Sequence, residues 1–181
     1  MQKRTHTLLA RTLLRSETGF SARRFELAFL FGSFQPDVNP LSYLKGSLHY
    51  SKLKGHNYDN SRDYINAKIL KLQHRRRWTV WQYYTLGKLT HYLADAYTYP
   101  HNPDYPDTML DHHNYETDFR RFMRGYLAHQ HLRRQQARRD LIAALDELHQ
   151  QYMATRASMY RDASYILKAT SLLMAGCLPA A

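Results

Sequence analysis

Apolar residues recur along this chain every three or four positions, the period of amphipathic helices. The alternation that marks strands is nearly absent, so the fold is read as all-α. His6 to Leu14 is predicted as a first helix, broken at Gly19, and Ser21 would cap a second through Phe25, Phe29 and Leu30. From Gly32 to Gly55, the residues Pro36, Asn39, Pro40 and Gly46 predict an irregular loop with a short helix around Tyr43. Asn60 or Ser61 would cap the next helix, which carries Tyr64, Ile65, Ile69 and Leu72. A helix from about Thr79 to Tyr97 follows. Its Leu86, Leu89, Leu93 and Tyr97 form one apolar stripe, and Gly87, His91 and Asp95 lie on another face. Pro100, Pro103 and Pro106 define a loop, and a helix runs from about Thr108 to His129. Leu141, Leu145, Leu148 and Tyr152 mark a further amphipathic helix, and a last one spans roughly Tyr160 to Ala175. No repeat or linker divides the chain. Residues 1–181 are predicted to form one domain, a bundle of about seven helices.

Composition sharpens this. Hydrophobic residues make up 44% of the 181, which suits a packed core and excludes a disordered chain. The 15 tyrosines are read mainly as core and subunit contacts. A formal net charge of +11 favours anionic partners: nucleic acid, an anionic membrane surface or a phosphorylated small substrate. Arg75-Arg76-Arg77, Arg133-Arg134 and Arg138-Arg139 carry much of it, and such runs are usually solvated helix ends. No RNA-binding signature or zinc-finger spacing accompanies them. With Cys177 as the one cysteine, no intramolecular disulfide is possible, which fits a reducing compartment. Arg11 and Arg15 interrupt the apolar start, so it does not read as a secretory signal. Lys168 interrupts the apolar tail, so no transmembrane segment is predicted there. A cytoplasmic location is expected.

The chemistry is concentrated between His91 and Glu116. His91 with Asp95, and His112 with Glu116, are spaced four apart, so each pair would present an imidazole and a carboxylate on one helical face. Zn²⁺ favours that mixture of nitrogen and oxygen ligands. Pro100 ends the first of these helices, which lets His101 turn back toward the same space. Asp37, His56, His49 and His6 are further candidates upstream. Taken singly, an HxxxD pair is more often a surface hydrogen bond and a lone loop Asp more often a turn former. Their combination in one small helical chain points to a site for more than one metal.

These residues carry a family resemblance. Leu86-Gly87-Lys88-Leu89-Thr90-His91-Tyr92-Leu93-Ala94-Asp95, then Pro100-His101-Asn102, then His112 and Glu116, resemble the zinc-dependent phospholipase C family of bacteria. Gly32 to Asp37 and on to Ser61 resemble its upstream half, and Thr5-His6 its opening helix. The region after about Arg124 is not diagnostic. The resemblance implies an all-α fold of the phospholipase C and single-strand nuclease type, holding two or three Zn²⁺ ions. It implies Asp37, His56, His91 and Asp95 at one ion, His101, His112 and Glu116 at a second, and His6 at a third with Asp95 bridging. His56 is preferred to His49 because it precedes the helix start, and His112 to His113 because it alone is four residues from Glu116. In secreted members, a processed N-terminal tryptophan contributes its amino group to the third ion. Here Met1 starts five residues before His6, so the expectation for the third site is that it is lost, weak, or completed by another side chain such as His49.

Two metals about 3.5–4 Å apart can clamp the attacking and departing oxygens of a phosphoester displacement, and a bound water loses its proton near neutrality. Asp37 is the expected proton acceptor. The resemblance makes a phosphodiester, and among these a phospholipid, the expected substrate. A single-strand nuclease on the same cluster suits the basic charge and is the rival enzyme. A non-catalytic, metal-stabilised helical binding protein is the rival outside enzymes. Sequence alone leaves the oligomeric state open.

Overall fold

The computed structural model describes residues 1–38, 58–102, 109–130, 132 and 134–179, with the side chains of 58–60 and 109–112 outside it. Among the described residues there are seven α-helices and no strand. They are α1 (Lys3–Ser16), α2 (Arg23–Val38), α3 (Tyr58–Gln73), α4 (Val80–Ala96), α5 (Met109–Ala128), α6 (Leu141–Ala154) and α7 (Met159–Cys177). A short 3-10 turn, Tyr99–His101, follows α4. The expected all-α architecture is present. No described helix is long and apolar enough to cross a membrane.

Helix α4 is the centre of the packing, touching α1, α2, α3 and α7. Thr79 starts it with a reciprocal cap. Its Oγ1 accepts the Trp81 N–H at 3.3 Å, and the Gln82 side chain accepts the Thr79 N–H at 2.9 Å. The stripe of Leu86, Leu89, Leu93 and Tyr97 is buried in the core together with Ile166 and Leu173 of α7. The opposite face is buried too. Gly87, His91 and Asp95 are all turned inward on α4. Asp140 and Ser158 cap α6 and α7, each accepting a backbone N–H three residues on.

Three local expectations are corrected. Helix α2 does not stop at Gly32: it continues through Pro36 to Val38, so Asp37 stands on a helix and not on a loop. Gly32 is there for packing. A Cβ at Gly32 would lie 2.2 Å from the Tyr84 carbonyl oxygen, and one at Gly87 would lie 2.2 Å from the Phe29 carbonyl oxygen. The two glycines let the backbones of α2 and α4 meet. Pro36 falls in the last turn, where it removes only the one intrahelical bond its N–H would have made. Asn60 and Ser61 lie inside α3 and are not its cap, and α2 starts at Arg23, past Ser21. The short helix expected around Tyr43 falls outside the described residues.

Candidate metal centre

Because α2 and α4 cross so closely, the ends of both helices converge with the start of α1. Asp37 comes from the last turn of α2, His91 and Asp95 from successive turns of α4, and His6 from α1. His6, His91 and Asp95 are 1%, 0% and 2% exposed, and one ligand atom of each lies within 4.8 Å of the others. His6 Nε2 stands 3.2 Å from Asp95 Oδ1, and His91 Nε2 stands 3.2 Å from Asp95 Oδ2. Asp37 completes this group, with Oδ2 3.9 Å from His6 Nε2 and Oδ1 3.7 Å from His91 Nε2. The two imidazoles stack with centroids 3.9 Å apart.

The 3-10 turn brings His101 to the same place. Its Nε2 lies 3.9 Å from Asp95 Oδ1 and 3.8 Å from Glu116 Oε1 on α5. Pro100 at the start of that turn gives the sharp exit that the sequence suggests. The α-amino nitrogen of Met1 is also in the cluster. It lies 2.7 Å from Asp95 Oδ1, 3.1 Å from Glu116 Oε1 and 3.1 Å from His101 Nε2. Six of the sequence-predicted residues thus meet: His6, Asp37, His91, Asp95, His101 and Glu116. The backbone of His112 stands one turn ahead of Glu116 on α5, and its side chain is outside the described set. His56 and His49 fall outside the described residues as well.

The protonation states suit cation binding. His91 Nδ1 lies 3.1 Å from the Ser33 carbonyl oxygen, a contact that needs the proton on Nδ1 and leaves Nε2 as the ring nitrogen that faces the carboxylates. Burial, helped by the neighbouring His91, pulls His6 down to about 3, so its imidazole is neutral. Burial pushes the Asp95 carboxyl up, but the Met1 ammonium and the surrounding imidazoles outweigh it and hold Asp95 well below the usual carboxylate range. Burial raises Asp37 to about 6 against the pull of His91. For Met1, burial lowers the amino group and Asp95 with Glu116 more than restore it, to about 10.

Do the residues fit zinc? Among the described residues, His6 Nε2 and Asp37 Oδ2 are buried polar atoms with no hydrogen-bond partner, although each faces an opposite-type ligand atom nearby. Such orphans are costly unless something binds them. Neutral imidazole nitrogens and carboxylate oxygens around one point are the donor set Zn²⁺ takes. They fit. Access is one-sided: the Asp37, His101 and Glu116 side chains are 19%, 15% and 16% exposed, while the His6 and His91 side chains are sealed.

Behind the His101–Glu116 side sits a polar network that the sequence did not advertise. Asp162 of α7, 0% exposed, accepts the Tyr99 N–H at 2.7 Å and the Tyr115 hydroxyl at 2.5 Å on one oxygen. Its other oxygen accepts from Tyr152 and Arg161. Tyr99 is two residues from His101, and Tyr115 is next to Glu116, so one carboxylate ties down both elements. A single Asp in an apolar helix gives no periodic or spacing signal, and only the folded contacts reveal it.

Comparison with known proteins bears on the same residues. No curated protein and no solved structure matches the chain. The family described as zinc dependent phospholipase C matches residues 5–159, a span that takes in every ligand-type side chain of this cluster. With its helices, its histidine–carboxylate cluster and that match over most of its length, the chain belongs to the zinc-dependent phospholipase C family.

Proposed function

We propose that the protein is a zinc-dependent phosphodiester hydrolase. The observation that carries this reading is the meeting of His6, Asp37, His91, Asp95, His101 and Glu116 at a centre where His6 and His91 are sealed and the Asp37, His101 and Glu116 side chains are partly exposed. A purely structural zinc site is closed by protein ligands, whereas a catalytic one keeps a position for water or substrate. The partial exposure of Asp37, His101 and Glu116 supports the catalytic alternative.

His91, Asp95 and Asp37, with His56 as the family resemblance implies, would hold one ion. His101 and Glu116, with His112, would hold a second. His6 would hold a third with Asp95, and the Met1 amino nitrogen is the neighbouring nitrogen at that point. Bound zinc ions supply an acidified water and neutralise charge on phosphoryl oxygens. The protein's own groups do the rest. Ser33 fixes the tautomer of His91 through its carbonyl oxygen. Asp95, buried between helices, presents one oxygen to His91 and the other to His6. Asp37, whose side chain is partly exposed, would take a proton from an attacking water. The sealed walls of α1, α2 and α4 keep bulk water from one side of the centre.

The test is metal analysis of the purified protein combined with phosphodiester, phospholipid and single-stranded nucleic-acid substrates. The expected result is zinc bound at two or three ions per chain and hydrolysis of a phosphatidylcholine analogue that chelation abolishes. His91→Ala is expected to lose metal and hydrolysis while keeping its helicity. Full activity in metal-quantified His91→Ala protein would defeat the assignment, and cleavage of oligonucleotides alone would move it to the nuclease reading.

A further inference from the structure

The outer face of α2 is apolar where a solvated helix would be polar. Leu27, Phe31 and Val38 are spaced at four and seven residues, so they share one stripe, and they are 56%, 51% and 48% exposed. Phe34 lies in the same stripe, edge-on to Phe31 at 5.6 Å. The surface continues onto α4. Phe31 stacks on Tyr84 at 5.8 Å, and Tyr84 meets Trp81 edge-on at 6.2 Å. Trp81 is 71% exposed, with Val80 beside it at 42%. Contiguous exposed apolar surface of this kind marks a place of interaction.

Charge identifies the partner. Exposed Arg23 and Arg24 open α2, and exposed Arg75, Arg76 and Arg77 lead into α4 and Trp81. The Lys3 ammonium sits 4.7 Å over the Phe34 ring. From Lys71 to Ala94 the chain has no Asp or Glu, and Glu26 is the one acidic residue of α2 ahead of Asp37. A second copy docking by the same face would set this positive rim against itself. Nucleic acid offers phosphates to the arginines but little for exposed Leu27, Val38 and Val80. An anionic bilayer satisfies both parts: aromatic and aliphatic side chains enter at headgroup level, and Lys and Arg lie on lipid phosphates.

We propose that this face of α2 and α4 docks on the surface of an anionic phospholipid bilayer. The stripe ends at Val38, next to Asp37 of the metal centre, so docking brings the centre to the lipid headgroups. The inference goes beyond the hydrolase reading by assigning the face of the protein that meets a bilayer, and it rests on that reading only for the purpose of the docking.

The test uses zinc-loaded protein sedimented with vesicles of phosphatidylcholine, with and without phosphatidylserine. Binding is expected with the anionic vesicles and is expected to fall with added salt. Trp81→Glu and Phe31→Glu are each expected to weaken it about tenfold or more while leaving hydrolysis of a soluble phosphodiester unchanged. Tryptophan emission should shift to the blue on anionic vesicles, and Trp81→Phe, which leaves Trp78, should abolish the shift. Equal sedimentation of the parent and both Glu variants overturns the proposal, as does no vesicle binding at all. A dimer that Phe31→Glu dissociates, or displacement of the protein from vesicles only by oligonucleotide, also overturns it by naming another occupant. Docking and hydrolysis are read separately. A protein that binds vesicles through this face but cleaves nothing leaves the docking standing and removes the enzyme, and an active enzyme that ignores vesicles does the reverse.

Discussion

Asp37 and Asp95 stand in one cluster, yet their surroundings differ. Asp95 is buried between an ammonium and three imidazoles, with both oxygens committed to them. Asp37 lies on the solvent side, farther from each histidine, and burial pushes its carboxyl up. Asp95 therefore suits a fixed ligand, and Asp37 suits a group that takes a proton. Asp37→Asn keeps the shape and one coordinating oxygen but removes the base. It is expected to lower kcat by about 10²–10⁴ while most of the metal stays bound through His6, His91 and Asp95. Metal content and kcat measured on the same preparation decide the matter. Parallel loss of metal and activity would make Asp37 a ligand and nothing more.

Between elements, the α2–α4 crossing controls whether those residues meet at all. A methyl at Gly87 would collide with the Phe29 carbonyl oxygen, which is backbone and cannot swing aside. Gly87→Ala is expected to cost about 1–3 kcal/mol of stability by overpacking and to weaken zinc binding by moving Asp37 away from His91. Thermal melts and metal titration check both halves, and an unchanged affinity would separate the crossing from the site. The pattern of the chain showed α4 and its His91–Asp95 face well, because the apolar stripe of Leu86, Leu89, Leu93 and Tyr97 and an i,i+4 pair are both local. It misread α2 for a physical reason. Gly32 and Pro36 break helices by intrinsic preference, and here tertiary packing overrides it. Asp162 was illegible because its partners, Tyr99 and Tyr115, are distant in sequence. Its role makes a test of its own. Tyr115→Phe removes one hydroxyl and little volume, so the fold should survive, yet the turn bearing His101 and the helix bearing Glu116 lose their common anchor. The last zinc to bind is expected to weaken about 10- to 100-fold, with the tightest ion unaffected. A uniform loss at all ions would mean general loosening of the fold instead.

For the whole molecule, the amino group of Met1 is the point where α1, α4, α5 and the 3-10 turn are joined. It donates to Asp95, lies within ion-pair distance of Glu116 and touches His101, and it is buried. The position of Met1, five residues ahead of His6, counted against the amino-group donor that the family's secreted members use, and only the entry path of α1 brings the amine inward. Its chemistry is specific. Converting the amine to an amide by placing a further residue ahead of Met1 removes a positive charge, removes a basic nitrogen, and forces extra atoms into a sealed position. A buried carboxylate deprived of its cation is expected to cost about 3–5 kcal/mol in the metal-free protein. Two preparations of the same chain compare directly: one starting at Met1, the other carrying a short tag ahead of it. The tagged form is expected to melt lower and to bind fewer zinc ions, and a tag placed after residue 181 to do neither. Because His6, His91 and Asp95 remain in both, the tagged form should keep at least one ion. Equal melting and equal zinc content in all three would show that the amino group stands at the centre without contributing to it.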